Sequence, residues 1–273
     1  MSLRLKKGCL DLGRIAGSGQ CFTWRPLAGG GYGIPVGERY VEARQEGEEL
    51  VLSCSQEEFD GFWRAYFDWD RDYEALLTGI DPADTYLTAA AAHGYGIRVL
   101  RQDLWEVLAC FLISQNNNIT RITRSVHALS ERWGRELSVP GMACGHVFSF
   151  PTPEQLSPAR EADYQAAGLG YRAKYMVRLA KELSGGGLAR WKERLEGLED
   201  REAEQALMEL YGVGKKVADC VCLFGLHRAD FFPVDTHIRK IFHRYYPEGF
   251  PRERYRGSLG ILQQYIFYYD LRK

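Results

Sequence analysis

Residues 207–239, LMELYGVGKKVADCVCLFGLHRADFFPVDTHIR, organise the reading of this 273-residue chain. The stretch begins as a helix, breaks sharply at Gly212-Val213-Gly214, and resumes as a second helix through Leu226. Two glycines permit positive φ and the close approach of another backbone. The amides that open the second helix lack intrahelical partners and lie at the positive end of its dipole, so a phosphate fits there without any side chain. Lys215 and Lys216 follow at once, and a second corner, Pro233-Val234-Asp235-Thr236-His237, opens another helix. A lysine and an aspartate are thereby expected to meet beside a bound phosphate.

The rest of the chain bounds what such a site serves. With 45% hydrophobic and 26% charged residues the chain is globular, with room for two or three packed layers. No apolar run approaches the length of a membrane span, and the opening MSLRLKKGCLDLG has basic residues but no apolar core or cleavage site. An intracellular protein away from membranes is expected. The cysteines at 9, 21, 54, 110, 144, 220 and 222 are odd in number, scattered and mostly in apolar contexts. They read as reduced, mostly buried thiols, and a metal cofactor held by side chains is not expected.

A formal charge of −1 does not mark a nucleic-acid protein, but the charge is sorted along the chain. Residues 172–182 carry four basic groups against one acidic, residues 237–256 six against two, and residues 192–210 seven acidic against three basic. Such runs are usually solvated helix faces. Here the two basic windows flank the motif, which supports DNA binding.

Strand signals are confined to the first part of the chain. Residues 20–25, 39–44 and 50–54 are rich in β-branched and aromatic residues, Glu46-Gly47 reads as a hairpin turn, and Gly29-Gly30-Gly31 reads as a flexible connection. Residues 57–77 change to an aromatic-rich helical spacing that covers the sheet or joins it to the next domain. From about Asp81 helices succeed one another. Asp103 caps an apolar helix, residues 114–118 interrupt it, and Ile119, Ile122, Val126, Leu129 and Trp133 mark the buried face of the next. The expected fold is α+β: a small antiparallel β-sheet N-terminal domain over residues 1–92, then an all-helical pair of subdomains over 93–273. The helix-hairpin-helix lies at about 201–226.

GVGKK followed by VDTH resembles the helix-hairpin-helix, Gly-Pro-Asp superfamily of base-excision DNA glycosylases, in which a lysine at this place marks enzymes that both excise a base and cleave the strand. Residues 18–25 (SGQCFTWR), 114–123 (SQNNNITRIT), 168–174 (GLGYRAK) and 263–272 narrow the likeness to the eukaryote-type 8-oxoguanine DNA glycosylase/AP lyases. This resemblance implies Lys216 as nucleophile and Asp235 as its partner. Successive helical residues diverge by about 100°, so only one of Lys215 and Lys216 faces the pocket.

The same resemblance implies roles for further residues. A glycosylase must take the base out of the stack and fill the gap. Asn116 would fill that space, Tyr171 would wedge beside the opposite base, and Arg121 and Arg172 would hydrogen-bond the orphaned cytosine. The main-chain carbonyl of Gly19 would accept from the N7 proton that only the oxidised guanine carries. Phe267 and Cys220 would sandwich the flipped base, and Gln263 would bond its pyrimidine edge. Lys216 and Cys220 are four apart on one helix, so a thiolate beside an ammonium and a neutral core thiol both stand open. Phe224 and Tyr211 depart from the usual methionine and proline; the first is expected to alter pocket shape and the second to matter little. The turn glycines Gly212 and Gly214 and His237 would contact phosphate. The main-chain carbonyls of Met208, Leu210 and Val213 would hold a structural monovalent or calcium ion. No cofactor is required and no iron-sulfur cluster is implied, since the terminal four-cysteine cluster of endonuclease III relatives is missing.

The expected function is therefore excision of 8-oxoguanine, preferably opposite cytosine in double-stranded DNA, followed by strand cleavage through a lysine Schiff base, by a monomer. A glycosylase for another damaged purine, such as an alkylated base, is a different enzyme reading, against which Lys216 argues. A non-catalytic helix-hairpin-helix DNA-binding protein is the reading from another class.

Overall fold

The computed structural model describes residues 2–137 and 146–272. Five antiparallel strands form the N-terminal sheet: β1 (Leu3–Lys6), β2 (Arg25–Pro26), β3 (Tyr32–Val36), β4 (Arg39–Glu46) and β5 (Glu49–Leu52). Their order is β1-β5-β4-β3-β2. The β4–β5 hairpin turns where Glu46-Gly47 was expected to turn it, with Glu46 opposite Glu49 and Gly47 at φ 59°. Ile34, Val41, Ala43, Leu50 and Leu52 point to one face, and all are fully buried against Leu12, Ile15, Phe59, Trp63, Phe67 and Leu100.

Three local expectations for this region are corrected. Residues 20–24 are not a strand: they thread into the seam between sheet and helices, where Phe22 meets Phe111 edge-on at 5.8 Å, Thr23 donates to Glu106 at 2.9 Å and the Trp24 indole donates to Tyr66 at 2.8 Å. Their hydrophobicity serves two partners, not a ladder. Gly29-Gly30-Gly31 is a tight β2–β3 turn, not a flexible connection. The Leu27 amide donates to the Gly31 carbonyl at 3.1 Å, and a Cβ on Gly31 would lie 2.2 Å from the Ala43 carbonyl oxygen. Residues 57–77 are not one helix: helical turns over residues 56–66 stop at Phe67, Asp68 takes φ 49°, and a new helix starts at Tyr73–Thr78 behind an Asp72 cap. The break has a cause. Buried Arg98 collects the carbonyls freed there, donating to Phe67 at 3.0 Å and to Trp69 and Arg71 at 3.2 and 3.0 Å.

The second core is helical. Every residue of the Leu104–Ile113 helix is buried, and it packs against the Lys215–Phe224 helix, while the C-terminal Leu259–Leu271 helix packs on Thr85–His93. Helices Ile119–Trp133, Ala173–Leu183, Asp200–Met208 and Thr236–Tyr245 close around these. A short ribbon of Glu136–Leu137 against Val147–Phe148 adds strand to this otherwise helical part, and its Leu137 and Val147 cluster with Tyr40. The six described cysteines are buried and unpaired, as expected of reduced thiols; Cys144 lies outside the described residues. No helix is long and apolar enough to cross a membrane among the described residues.

Candidate active site

The hairpin forms as its sequence dictates. The Asp200–Met208 helix ends before Gly212, which takes φ 89° with its α-carbon so close to Tyr175 that a Cβ would lie 2.7 Å from the ring. Gly214 is the N-cap of the second helix, which runs Lys215–Phe224 and stops two residues short of Leu226 because Gly225 packs on Leu104. Lacking a side-chain cap, this helix leaves its first amides for an outside acceptor. The Gln115 side chain ties the turn to the preceding loop by donating to the Gly212 carbonyl at 3.0 Å.

A cavity of about 660 Å³ opens beside the hairpin, lined by Gly19, Phe111, Ser114, Arg121, Lys216, Asp235, His237 and Phe267 among others. An adjoining inner pocket of about 40 Å³ shares Gly19, Phe111, Lys216, Asp235 and Phe267 with that cavity and is bounded also by Cys220, Phe224, Pro233 and Gln263. The two residues expected to do chemistry and the four expected to hold a base thus share one wall, although they come from separate stretches of chain. Lys216 is half-buried, donates to Ser114 Oγ at 3.3 Å and lies 4.9 Å from the centroid of the Phe111 ring. Asp235 caps the Thr236–Tyr245 helix, accepting from the Ile238 amide at 2.8 Å. Within 4 Å no ion pair joins Lys216 to Asp235 among the described residues; the pair faces across the cavity.

Neighbouring side chains bear on two open points. Lys215 points away from the cavity and pairs with Glu204 and with Asp219, the latter at 3.2 Å. Burial pushes the Cys220 thiol up to about 11, with Lys216 the main opposing influence, which favours the neutral thiol. Gln263 is buried, donating to the Pro233 carbonyl at 3.2 Å and accepting from Gln264 at 3.0 Å. Gly19 takes φ 75°, and a Cβ there would lie 3.2 Å from Phe267 and 3.3 Å from Ile119. Phe224 stacks on Phe111 with centroids 5.3 Å apart and so shapes the inner end. Exposed Tyr211 packs edge-on against Tyr175 at 5.4 Å.

The loop after Ser114 carries the expected DNA-facing residues. Asn116 is exposed at φ 46°, a left-handed conformation that asparagine tolerates better than most residues. Its amide donates to Tyr171 Oη at 3.3 Å, and that hydroxyl donates in turn to the Gln115 carbonyl at 3.3 Å. Arg121 is exposed on the first turn of the Ile119–Trp133 helix, which Asn118 caps. Arg172 is 7% exposed, and its guanidinium donates to the carbonyls of Gln115, Asn116 and Leu169 beside the Asn116 loop. His237 is exposed, 3.4 Å from Asp270, and so is not a buried, satisfied histidine. A groove of about 460 Å³ runs from Gly214 and Lys215 past Asn116 to Asp235, His237 and Arg239, joining the hairpin turn to Lys216 and Asp235. Of the expected ion site, Leu210 contributes a carbonyl that already accepts from the Val213 amide at 3.0 Å, and Met208 is exposed.

Ser114 and Phe111 were not singled out from sequence. Phe111 reads as one more apolar position of a buried helix, and only the packing of that helix against the hairpin brings residue 114 to residue 216.

The family model described as 8-oxoguanine DNA glycosylase, N-terminal domain, matches residues 2–108, and the HhH-GPD superfamily base excision DNA repair protein model matches residues 109–253. An N-glycosylase/DNA lyase of Saccharomyces cerevisiae is 34% identical over 89% of this chain and 70% of its own length. The N-glycosylase/DNA lyase OGG1 of Arabidopsis thaliana is 34% identical over 84% of this chain and 64% of its own length. A crystal structure of the Clostridium acetobutylicum 8-oxoguanine glycosylase/lyase, in complex with double-stranded DNA containing cytosine opposite 8-oxoG, superposes with a TM-score of 0.88 at 33% identity, covering 100% of this chain and 98% of that one. With both models spanning its sheet and its hairpin, the chain belongs to the 8-oxoguanine DNA glycosylase family of HhH-GPD base-excision repair proteins.

Proposed function

We propose that this protein removes 8-oxoguanine opposite cytosine from double-stranded DNA and cleaves the strand at the resulting site, with Lys216 as nucleophile and Asp235 as its charged partner. The observation that carries this reading is a pair of adjoining pockets: Lys216, Asp235, Gly19 and Phe267 line both the large cavity and the small inner one, and Cys220 and Gln263 line the inner one. A DNA-binding hairpin without chemistry needs no such pocket behind its turn.

The base enters between Phe267 and Cys220, where a neutral thiol gives a flat apolar contact and Gln263 presents its amide to the pyrimidine edge. The Gly19 carbonyl accepts from the N7 proton of 8-oxoguanine and faces a lone pair in guanine, so the normal base leaves two acceptors unpaired. Lys216 then attacks C1′ as the glycosidic bond breaks and the base departs, and the Asp235 carboxylate stabilises the positive charge growing on the sugar. Ser114 Oγ orients the amine. Opening of the sugar ring gives a Schiff base, which acidifies the C2′ proton. Loss of that proton expels the 3′ phosphate oxygen, and water later releases Lys216.

Phosphate is held by the amides at Gly212 and Gly214 and by His237. Asn116 enters the vacated space with Tyr171 beside it, and Arg121 offers its fork to the estranged cytosine. A monovalent or calcium ion on the carbonyls of Met208, Leu210 and Val213 would brace the turn against a phosphate.

The test is borohydride trapping on end-labelled duplexes carrying 8-oxoguanine opposite each of the four bases. An adduct with the wild type and none with Lys216→Gln is expected, strongest opposite cytosine. No adduct and no cleavage with any duplex would overturn the reading.

A further inference from the structure

Resting on the DNA-binding part of the reading above, we propose that Tyr211 and Arg178 form a second grip on the duplex, a stacked plate that holds one backbone phosphate beyond the phosphate at the hairpin turn. Tyr211 stands in place of the usual proline before Gly212, and from sequence it was expected to matter little. Arg178 lies midway along helix Ala173–Leu183 and reaches the hairpin from another element. Its guanidinium sits over the Tyr211 ring, 4.5 Å from the centroid.

The plate is one end of an aromatic row. Tyr211 meets Tyr175 edge-on at 5.4 Å, Tyr175 meets Tyr171 edge-on at 6.1 Å, and the Lys174 ammonium lies over the Tyr175 ring at 5.2 Å. The middle ring is held in place by Gly212, where a Cβ would lie 2.7 Å from it. Tyr171 and Tyr211, the two ends, are among only five large apolar side chains that are exposed in the described residues, so the row stands apart from the ordinary surface. Exposed apolar groups gathered in one place mark a contact face. This face is continuous with the turn through Tyr211 and with the Asn116 loop through the Tyr171 hydroxyl.

Charge says what covers it. Arg178 and Lys174 are exposed, and among the described residues neither has a hydrogen bond or an ion pair. Glu182 follows Arg178 by four residues on the same helix, a spacing at which ion pairs form, yet the guanidinium lies on Tyr211 instead. Glu204 and Glu209, which precede the turn, are already paired with Lys215 and Arg194. A guanidinium stacked on a ring keeps its N–H donors in its own plane, pointing past the ring edge, and that fork matches two oxygens of a phosphate. Continuity with the turn makes the phosphate one of the DNA backbone, held whatever the sequence around it.

The experiment measures equilibrium binding to duplexes carrying an uncleavable tetrahydrofuran site opposite cytosine, in which one phosphate at a time is replaced by a neutral methylphosphonate. The proteins are the wild type, Arg178→Ala, Arg178→Lys, Tyr211→Phe and Tyr211→Ala. Arg178→Ala should weaken the unmodified duplex by roughly 3- to 10-fold and lower the slope of log affinity against log salt by about 0.9. One methylphosphonate position should weaken the wild type and leave Arg178→Ala unaffected. Tyr211→Phe should match the wild type there, Tyr211→Ala should lose most of the effect, and Arg178→Lys should fall between. If every position affects the wild type and Arg178→Ala alike, the proposal is overturned. It is overturned as well if Tyr211→Ala lowers the melting temperature while its methylphosphonate pattern stays that of the wild type, since the ring then only packs the turn. A wild type that shows the coupled phosphate and does not excise 8-oxoguanine would sink the glycosylase reading alone.

Discussion

At the scale of single residues, the site depends on which of two adjacent lysines faces the cavity. Lys215→Ala is expected to keep the borohydride adduct, because its ammonium is engaged by Glu204 and Asp219 outside the pocket; an adduct lost with Lys215→Ala and kept with Lys216→Gln would reverse the assignment. Gly19 illustrates a second kind of dependence. At φ 75° an L side chain costs about 1–2 kcal/mol in backbone strain, and the new methyl group would press on Phe267 and Ile119. Gly19→Ala should therefore lower the melting temperature and slow excision far more than the strain alone accounts for, since the wall of the base pocket moves. Normal excision by a destabilised Gly19→Ala protein would show that the pocket does not use this approach.

At the scale of elements, helix Leu104–Ile113 carries a carboxyl group fully inside the seam between the sheet and the helices. Burial pushes Glu106 up to about 8, opposed by the hydrogen bond from Thr23 and reinforced by Asp103. A folded-state value raised above the unfolded one means that stability from the neutral form is present at low pH and is lost as pH rises through the folded value. Glu106→Gln keeps an acceptor for Thr23 and cannot ionise. Its melting temperature should gain on the wild type between about pH 5 and 8 and run parallel above that range; a constant difference across the range would mean that Glu106 is charged in the fold throughout. The hairpin makes the other element-level prediction. Gly212→Ala drives a methyl group into the Tyr175 ring at a positive φ, so it should weaken binding to lesion and undamaged duplexes by similar factors. A loss confined to lesion DNA would place Gly212 in base recognition instead.

At the scale of the whole molecule, a net charge of −1 coexists with Arg121, Arg124, Lys216, His237 and Arg239 gathered around two concavities and the groove that share lining residues. Of the acidic groups between residues 192 and 210, Glu204 pairs with Lys215, Glu209 with Arg194 and Asp200 with Arg228. Duplex affinity should accordingly fall steeply with salt despite the overall charge, and Arg239→Ala should reduce the slope of log affinity against log salt by about 1. A salt-independent affinity would show that the exposed cations are not what holds the duplex.

The sequence by itself determined the parts whose physics is local. Glycines at 212 and 214, the capping aspartates at 103 and 235, and the helical spacing of apolar residues fix turns and helix starts within a few positions, and the motif read across them identified the residues that line the pocket. Tertiary structure decided what depends on partners distant in sequence. Residues 20–24 look like a strand until their two-sided burial between sheet and helices is seen, and residues 57–77 look like one helix until Arg98 supplies partners for a break. Nothing in the chain around Arg172 reveals that the carbonyls of residues 115 and 116 lie within its reach. Exposure, pairing and the thiol state of Cys220 are set by which surfaces meet, and that is a property of the packed molecule.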